Sequence, residues 1–268
     1  AQLSKRMEKT GQNNQVIYLL QEPYYFKKNV INNLNKSFNL FYTKENKPRT
    51  CIHASTNLNA YLINQFSNRD MTTIGYKKNG ITYYAASIYM PGEHEEPIND
   101  EITKLIKFCD VKKIRLILGA YCNSHHTIWG STDINDRGIK LHDAIETLDL
   151  QICNLGNTPT FEKGVMSQVI DITLVNKRVN IETIKNWRVE KLDTLSDHNE
   201  IAFELTDEKR YDSEEPYHNI RKVNWDKYLS SVKDNLTMLN NNSNLPDTIH
   251  DKVDRLETIL RKAKEQSC

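Results

Sequence analysis

Several absences narrow the reading before any motif does. No stretch approaches the roughly 20 continuous apolar residues that a membrane span needs, and no charged, then apolar leader opens the chain. The expectation is a soluble protein with no membrane partner. Cysteines number 5, at positions 51, 109, 122, 153 and 268, and none stands in a Cys-x-x-Cys pair. That odd, scattered set disfavours a disulfide framework and a zinc site and points to a reducing, intracellular compartment. Neither sign of charge is in excess, with 36 Lys plus Arg against 35 Asp plus Glu, so any attraction for a polyanion has to be local. No internal repeat is present.

What remains is a chain of 268 residues, 38% hydrophobic and 26% charged, enough for one large core with an appendage. Short β-branched and aromatic runs between turn signals predict strands at Val16–Leu20, Cys51–Ala54, Thr72–Tyr76, Ile81–Tyr89, Ile114–Leu118, Gln151–Asn154, Val169–Val175, Ile184–Val189 and Ile201–Leu205. Helical spacing is clear after Asp136, where Leu141, Ala144, Ile145 and Leu148 form one apolar face, and weaker over Ile98–Phe108 and around Leu3 and Met7. Many strands and few helices predict an α/β chain in which sheets pack face to face with helices outside. After residue 205 the composition changes. A charged run, Thr206–Glu215, closed by Pro216, reads as a linker. A polar helix over Asn224–Leu239 and a second, with Ile249, Val253, Leu256, Leu260 and Ala263 as its stripe, follow it. Two such helices bury little alone, so this tail is expected to belong to something that continues past Cys268.

Four segments could carry chemistry. Glu22, in Gln21-Glu22-Pro23 after the first apolar run, places a carboxylate where a strand opens onto a sheet edge, a position that suits a hard divalent cation; the plain alternative is a charge capping a strand end. Residues 118–131, Leu-Gly-Ala-Tyr-Cys-Asn-Ser-His-His-Thr-Ile-Trp-Gly-Ser, run from an apolar strand into a polar and aromatic loop of the sort that builds sites. Adjacent His125 and His126 point different ways and make a poor metal pair, so exposure or local hydrogen bonding is expected of them. Asp171 interrupts an apolar strand and, half-buried, needs a partner. His198, in Leu195-Ser196-Asp197-His198, can be that partner: a carboxylate fixes the imidazole tautomer and raises its pKa, giving a cation suited to a phosphoryl oxygen. Lys44, Lys47 and Arg49, and Lys112, Lys113 and Arg115, are the local basic groups, with ordinary solvated surface as the expectation for both.

Taken in order, these segments resemble the endonuclease domain of non-LTR retrotransposons, within the apurinic-endonuclease-like branch of the exonuclease–endonuclease–phosphatase superfamily. The resemblance runs through residues 20–24 (Leu-Gln-Glu-Pro-Tyr), 87–91 (Ser-Ile-Tyr-Met-Pro), 125–131, Arg137-Gly138, 158–161 (Thr-Pro-Thr-Phe), 169–174 (Val-Ile-Asp-Ile-Thr-Leu), Trp187 and Ser196-Asp197-His198, about the first 205 residues. Residues 219–228 look like the connector to a reverse transcriptase. The resemblance implies a four-layer α/β/β/α sandwich of two mixed sheets, its first strand missing before Ala1 together with a metal-site Asn, plus a C-terminal helical tail. The implied organisation is a nuclease domain over 1–205, a linker over 206–223 and a helical connector over 224–268.

The implied activity is magnesium-dependent nicking of DNA, with manganese as a substitute, leaving a 3′-hydroxyl that primes reverse transcription. Glu22 and Asp197 would serve the metal and Tyr89 the scissile phosphate. Asn123 would orient phosphate or water, Asp171 would orient His198, and His198 would stabilise the transition state. Trp129, His125 and His126 would meet DNA. The implied partners are DNA and a reverse transcriptase in the same polyprotein, the place of action the nucleus. The chain departs from the family pattern at Tyr121, which stands where an Asp belongs; a phenol is a poor base and a weak ligand at neutral pH. A DNA-binding pseudo-nuclease and a phosphomonoesterase of the same superfamily are the alternative functions.

Overall fold

In the computed structural model, residues 14–26, 29–30, 36–44, 47–190, 196–206, 224–241, 256, 258–260 and 262–263 are described. The chain divides into two compact units, residues 1–208 and 209–268.

The first unit is built on a six-stranded mixed sheet. Its strands are β6 (Tyr61–Leu62), β7 (Met71–Lys78), β8 (Ile81–Tyr89), β9 (Arg115–Tyr121), β10 (Leu150–Ile152) and β13 (Asp171–Asn176), ordered β10-β13-β9-β8-β7-β6. Only β8 and β9 run parallel, joined by helix α1 (Asp100–Val111), while every other neighbour is antiparallel. The second sheet is antiparallel, β1 (Ile17–Gln21), β5 (Thr50–Ser55) and β4 (Phe38–Phe41) in the order β1-β5-β4. Separate two-stranded ribbons are made by β2 (Tyr25–Phe26) with β3 (Asn29–Val30), β11 (Phe161–Lys163) with β12 (Met166–Gln168), and β14 (Ile184–Glu190) with β15 (Glu200–Leu205).

The period-two alternation of strand side chains sorts the core into two layers. From β8 and β9, Tyr84, Ala86, Ile88, Leu116, Leu118 and Ala120 join one cluster with Ile102, Leu105 and Ile106 of α1 and Leu141 and Ile145 of α2 (Asp136–Thr147). Their neighbours Tyr83, Ala85 and Ile117 face the other way, against Ile52 and Ala54 of β5 and Trp187 of β14. Both helices have an Asn N-cap, Asn99 accepting from Glu101 and Ile102 and Asn135 from Gly138, which fixes where each begins. The expected layering thus holds for sheet on sheet and for helices on one outer face. Among the described residues the large sheet is mixed and the second sheet antiparallel. The Leu3 and Met7 stretch and the 207–223 linker lie outside the described residues.

In the second unit, helix α3 spans Trp225–Asn241, with Asn224 accepting from Lys227 N–H at 3.0 Å. Further helical residues at 256, 258–260 and 262–263 include buried Ile259 and Ala263. No helix among the described residues is long and apolar enough to cross a membrane.

Buried His53 makes the small sheet acid-sensitive. It lies mid-way along β5, 3% exposed, with no hydrogen-bond partner for Nδ1 among the described residues, and burial pulls its pKa down from 6.5 to about 4. The unfolded chain therefore takes up a proton that the folded chain refuses, and stability falls as pH drops from about 6.5 towards 4, by roughly 3 kcal/mol at the end of that window. Urea midpoints measured across it should fall less steeply for His53→Leu than for the parent chain. Equal slopes would mean that His53 does not drive the loss.

Candidate active site

The strand ends put the site together. In the ladder of the large sheet, Tyr89 at the end of β8 pairs with Tyr121 at the end of β9, and Tyr121 pairs in turn with Asp171 at the start of β13. Residues paired in register share a face, so three side chains from three strands stand in one row. The bend into β13 is held by Thr160, whose Oγ1 accepts from the N–H groups of Ile170 and Asp171 at 3.0 and 3.1 Å.

At the end of the row, His198 Nδ1 lies 2.8 Å from Asp171 Oδ2. His198 is placed by a β-bridge to Phe161, and its ring packs edge-on against Phe161 (5.0 Å between centroids) and Tyr121 (4.5 Å). Burial works to lower the His198 pKa, but the bond to Asp171 and the fields of Asp171, Glu22 and Asp197 outweigh it, and the net shift is upward. Nδ1–H donates to the carboxylate, which leaves Nε2 as the group available to a substrate.

The other sheet supplies Glu22, just past β1. It adopts φ 49°, and its N–H donates to Arg49 O at 2.8 Å; its side chain is exposed. Its charge reaches Tyr89, Tyr121 and His198. Asn123, at φ 51°, donates Nδ2 to Met90 O at 3.0 Å and hydrogen-bonds Tyr89, so it braces the loop and the phenol together. Arg137 ties the same loops, bonding the carbonyls of His94, Met90 and Cys122.

The remaining assignments fare differently. Asp197 pairs with Lys163 at 2.9 Å, a half-exposed pair worth little. Trp129, expected to meet DNA, is 1% exposed and packed into the core between the large sheet and its helices, so its ring offers no face to a nucleic acid. It is inside because an indole removes more apolar surface from water than its neighbours can. His125 and His126 are held locally. His125 Nδ1 sits 3.0 Å from both Asp133 oxygens, His126 Nδ1 accepts from Ile128 N–H, and the His126 ring stacks on His142 at 4.9 Å.

Arg49 was not singled out from the sequence, where it reads as one of a solvated basic group. Its side chain is only 19% exposed, forked onto Asp70 at 2.5 and 2.6 Å, and its guanidinium lies 4.4 Å over the Tyr89 ring. The signal that could have found it is spatial, the meeting of β5 with β7.

A family model described as endonuclease-reverse transcriptase matches residues 83–202. Among solved structures, the endonuclease domain of TRAS1, a telomere-specific non-LTR retrotransposon, is similar with a TM-score of 0.62 and 23% identity, covering 78% of this chain and 91% of that one. The AP endonuclease LMAP from Leishmania major is similar with a TM-score of 0.61 and 8% identity, covering 77% and 82%. The fold is thus that of these two endonucleases, and residues 83–202 match the endonuclease-reverse transcriptase family model. No curated protein matches it.

Tyr121 stands in the middle of the row, between Tyr89 and Asp171. Burial, with the fields of Tyr89, Asp171 and Glu22 behind it, pushes the Tyr121 phenol up to about 12. A phenol so placed stays protonated at neutral pH and accepts no proton from water. The donors for a resident divalent cation are correspondingly thin. Among the described residues no three His, Cys, Asp or Glu gather into a group able to hold a metal ion. Glu22 is exposed, Asp197 is engaged by Lys163, and Tyr121 is neutral. Hard cations take oxygen ligands, several of them charged, and the residues as they stand fit such an ion poorly.

Because burial alone would lower it, the His198 pKa depends on Asp171. In the folded chain the His198 ring protons should titrate above 6.5, and in Asp171→Asn below the parent value, as followed by NMR. A parent titration at or below 6.5 would mean that the two do not act as a charge pair.

Proposed function

We propose that the chain is the DNA-nicking domain of a non-LTR retrotransposon polyprotein, acting in line on one phosphodiester to leave a 3′-hydroxyl, and that Tyr121 keeps its hydrolytic rate low. The observation that carries the reading is the row Tyr89, Tyr121, Asp171 with His198 bonded at its end. In hydrolysis of a phosphodiester, negative charge grows on the phosphoryl oxygens, and donors fixed in advance lower the barrier because they need no reorganisation. The His198 imidazolium, oriented by Asp171, supplies one such donor from Nε2. Tyr89, braced by Asn123, supplies a second. Attack also requires a water that loses its proton, and here the site is deficient, since the group at the proper position is a phenol held near 12.

With Asp at 121 a second carboxylate would stand within electrostatic reach of Glu22, and the donor set would suit magnesium. The family description further supports a reverse transcriptase in the same polyprotein as partner, and this reading takes DNA as the substrate and the nucleus as the place of action. His125 and His126, on the loop beyond β9, are the DNA-facing groups of this reading. A second reading, a pseudo-nuclease that binds DNA without cutting it, is favoured by Tyr121 itself.

Magnesium-dependent nicking of supercoiled plasmid separates the two. Tyr121→Asp should nick about a hundred- to ten-thousand-fold faster than the parent chain, the range that a general base contributes. His198→Ala placed in that background should return it to the blank. A folded Tyr121→Asp that binds DNA but does not nick would sink the hydrolytic reading in favour of binding.

A further inference from the structure

The geometry points to Arg49 as a positioning residue that sets the Tyr89 ring for its phosphate contact, with Asp70 as the clamp that fixes Arg49. The inference rests on the nuclease reading above for what Tyr89 touches, but the clamp itself is drawn from packing.

Arg49 ends the loop before β5, and Asp70 ends the loop before β7. The two loops are brought level where the sheets meet: Thr50 Oγ1 and Thr72 Oγ1 lie 2.8 Å apart, both buried, and Arg49 N–H donates to Arg69 O at 2.5 Å. Asp70 is itself preset, because Asn68 Oδ1 accepts from the N–H groups of Asp70 and Met71 at 2.8 and 2.9 Å. Its carboxylate receives Nε and Nη2 of Arg49 as a two-point fork, the geometry that holds a guanidinium plane in one orientation.

That plane lies 4.4 Å over the Tyr89 ring. The Tyr89 backbone N–H donates to Asp70 O at 2.8 Å, so the ring's own strand is tied to the same loop. The face of Tyr89 is therefore held by Arg49, its edge by Tyr121 at 5.3 Å, and its phenol by Asn123. Through its carbonyl, Arg49 also accepts from the N–H of Glu22, which sets the backbone on the other side of the cleft. One residue thus fixes both walls.

A lysine could supply charge but neither the fork nor the flat cation over the ring. The remaining nitrogen, Nη1, lies 3.7 Å from exposed Glu93, a loose contact that adds charge balance without fixing the guanidinium.

A double-mutant cycle in the Tyr121→Asp background tests this. Arg49→Lys should slow nicking about ten- to hundred-fold, chiefly in kcat, as expected of a group displaced by an ångström or so. With Tyr89→Phe already present, Arg49→Lys should cost less than about threefold, because the phenol it positions is gone. An equal cost in both backgrounds would overturn the proposal, since Arg49 would then act by itself or through general stability. Asp70→Asn should reproduce the Arg49→Lys effect in weaker form, and melting temperatures of all variants show whether the fold survives.

The ring also gives a readout that needs no substrate. NMR signals of the Tyr89 ring protons should move in Arg49→Lys and stay in place in Lys47→Ala. Unmoved ring signals overturn the proposal whether or not any form nicks. Moved signals together with no nicking by folded Tyr121→Asp count against the proposed function instead.

Discussion

The site exists because β1 lies close against the ends of β8 and β9, and that closeness depends on one buried bridge between the sheets. Gln21 Nε2 donates both to Ser87 Oγ, at 2.9 Å, and to Gly119 O, at 3.0 Å, while Ser87 Oγ donates to Leu20 O at 2.9 Å. Gln21 Nε2 and Ser87 Oγ are both satisfied within the bridge, which limits the desolvation cost of placing them between two apolar layers. Gly119 makes it possible. A Cβ at that position would come within 2.8 Å of Leu19 Cδ1, so a side chain there would have to displace the Leu19 side chain from its place between the sheets. Glu22 follows Gln21 immediately, so its place beside Tyr89 and Tyr121 is set by its neighbours before the carboxylate contributes anything.

The same dependence explains what could be seen in the sequence. The long strands of the large sheet were legible because alternation over several residues is a strong signal: Ile81–Tyr89 is β8 as expected, Thr72–Tyr76 is the middle of β7, and Ile114–Leu118 covers the first half of β9. The two-residue strands and the β11–β12 ribbon were not. They are short, and several of their residues are exposed, Met166 at 59% among them, so they leave no apolar pattern to read. In the site, the partnership of Asp171 and His198 could be argued from a half-buried acid that needs a cation. Trp129 was misread because its neighbours are polar, although the ring itself turns into the core. Arg49 was unreadable for the opposite reason: its role comes from Asp70 and Tyr89, both brought to it by sheet packing.

Tyr121 is best understood through the residue paired with it. In the antiparallel register Tyr121 stands directly opposite Asp171. An Asp there would set two carboxylates side by side on neighbouring strands, with the charge of Glu22 also in reach, an arrangement that like-charge repulsion disfavours unless a cation offsets it. A tyrosine removes that repulsion. It also gains edge-on contacts with Tyr89 at 5.3 Å and His198 at 4.5 Å, each worth about 0.5–1.5 kcal/mol when well packed. A tyrosine at this position therefore favours folding over hydrolysis on the proposed reading, the usual direction when a strained functional group is relieved. It does so without disturbing the donors: His198 keeps its bond to Asp171, and Tyr89 keeps Arg49 and Asn123. On the proposed reading, the groups a phosphate would meet are kept, and the group that would take a proton from water is a neutral phenol. On the nuclease reading, binding and cutting would draw on different groups: both donor rings pack against Tyr121, but each also has a partner of its own, Asp171 for His198 and Arg49 for Tyr89.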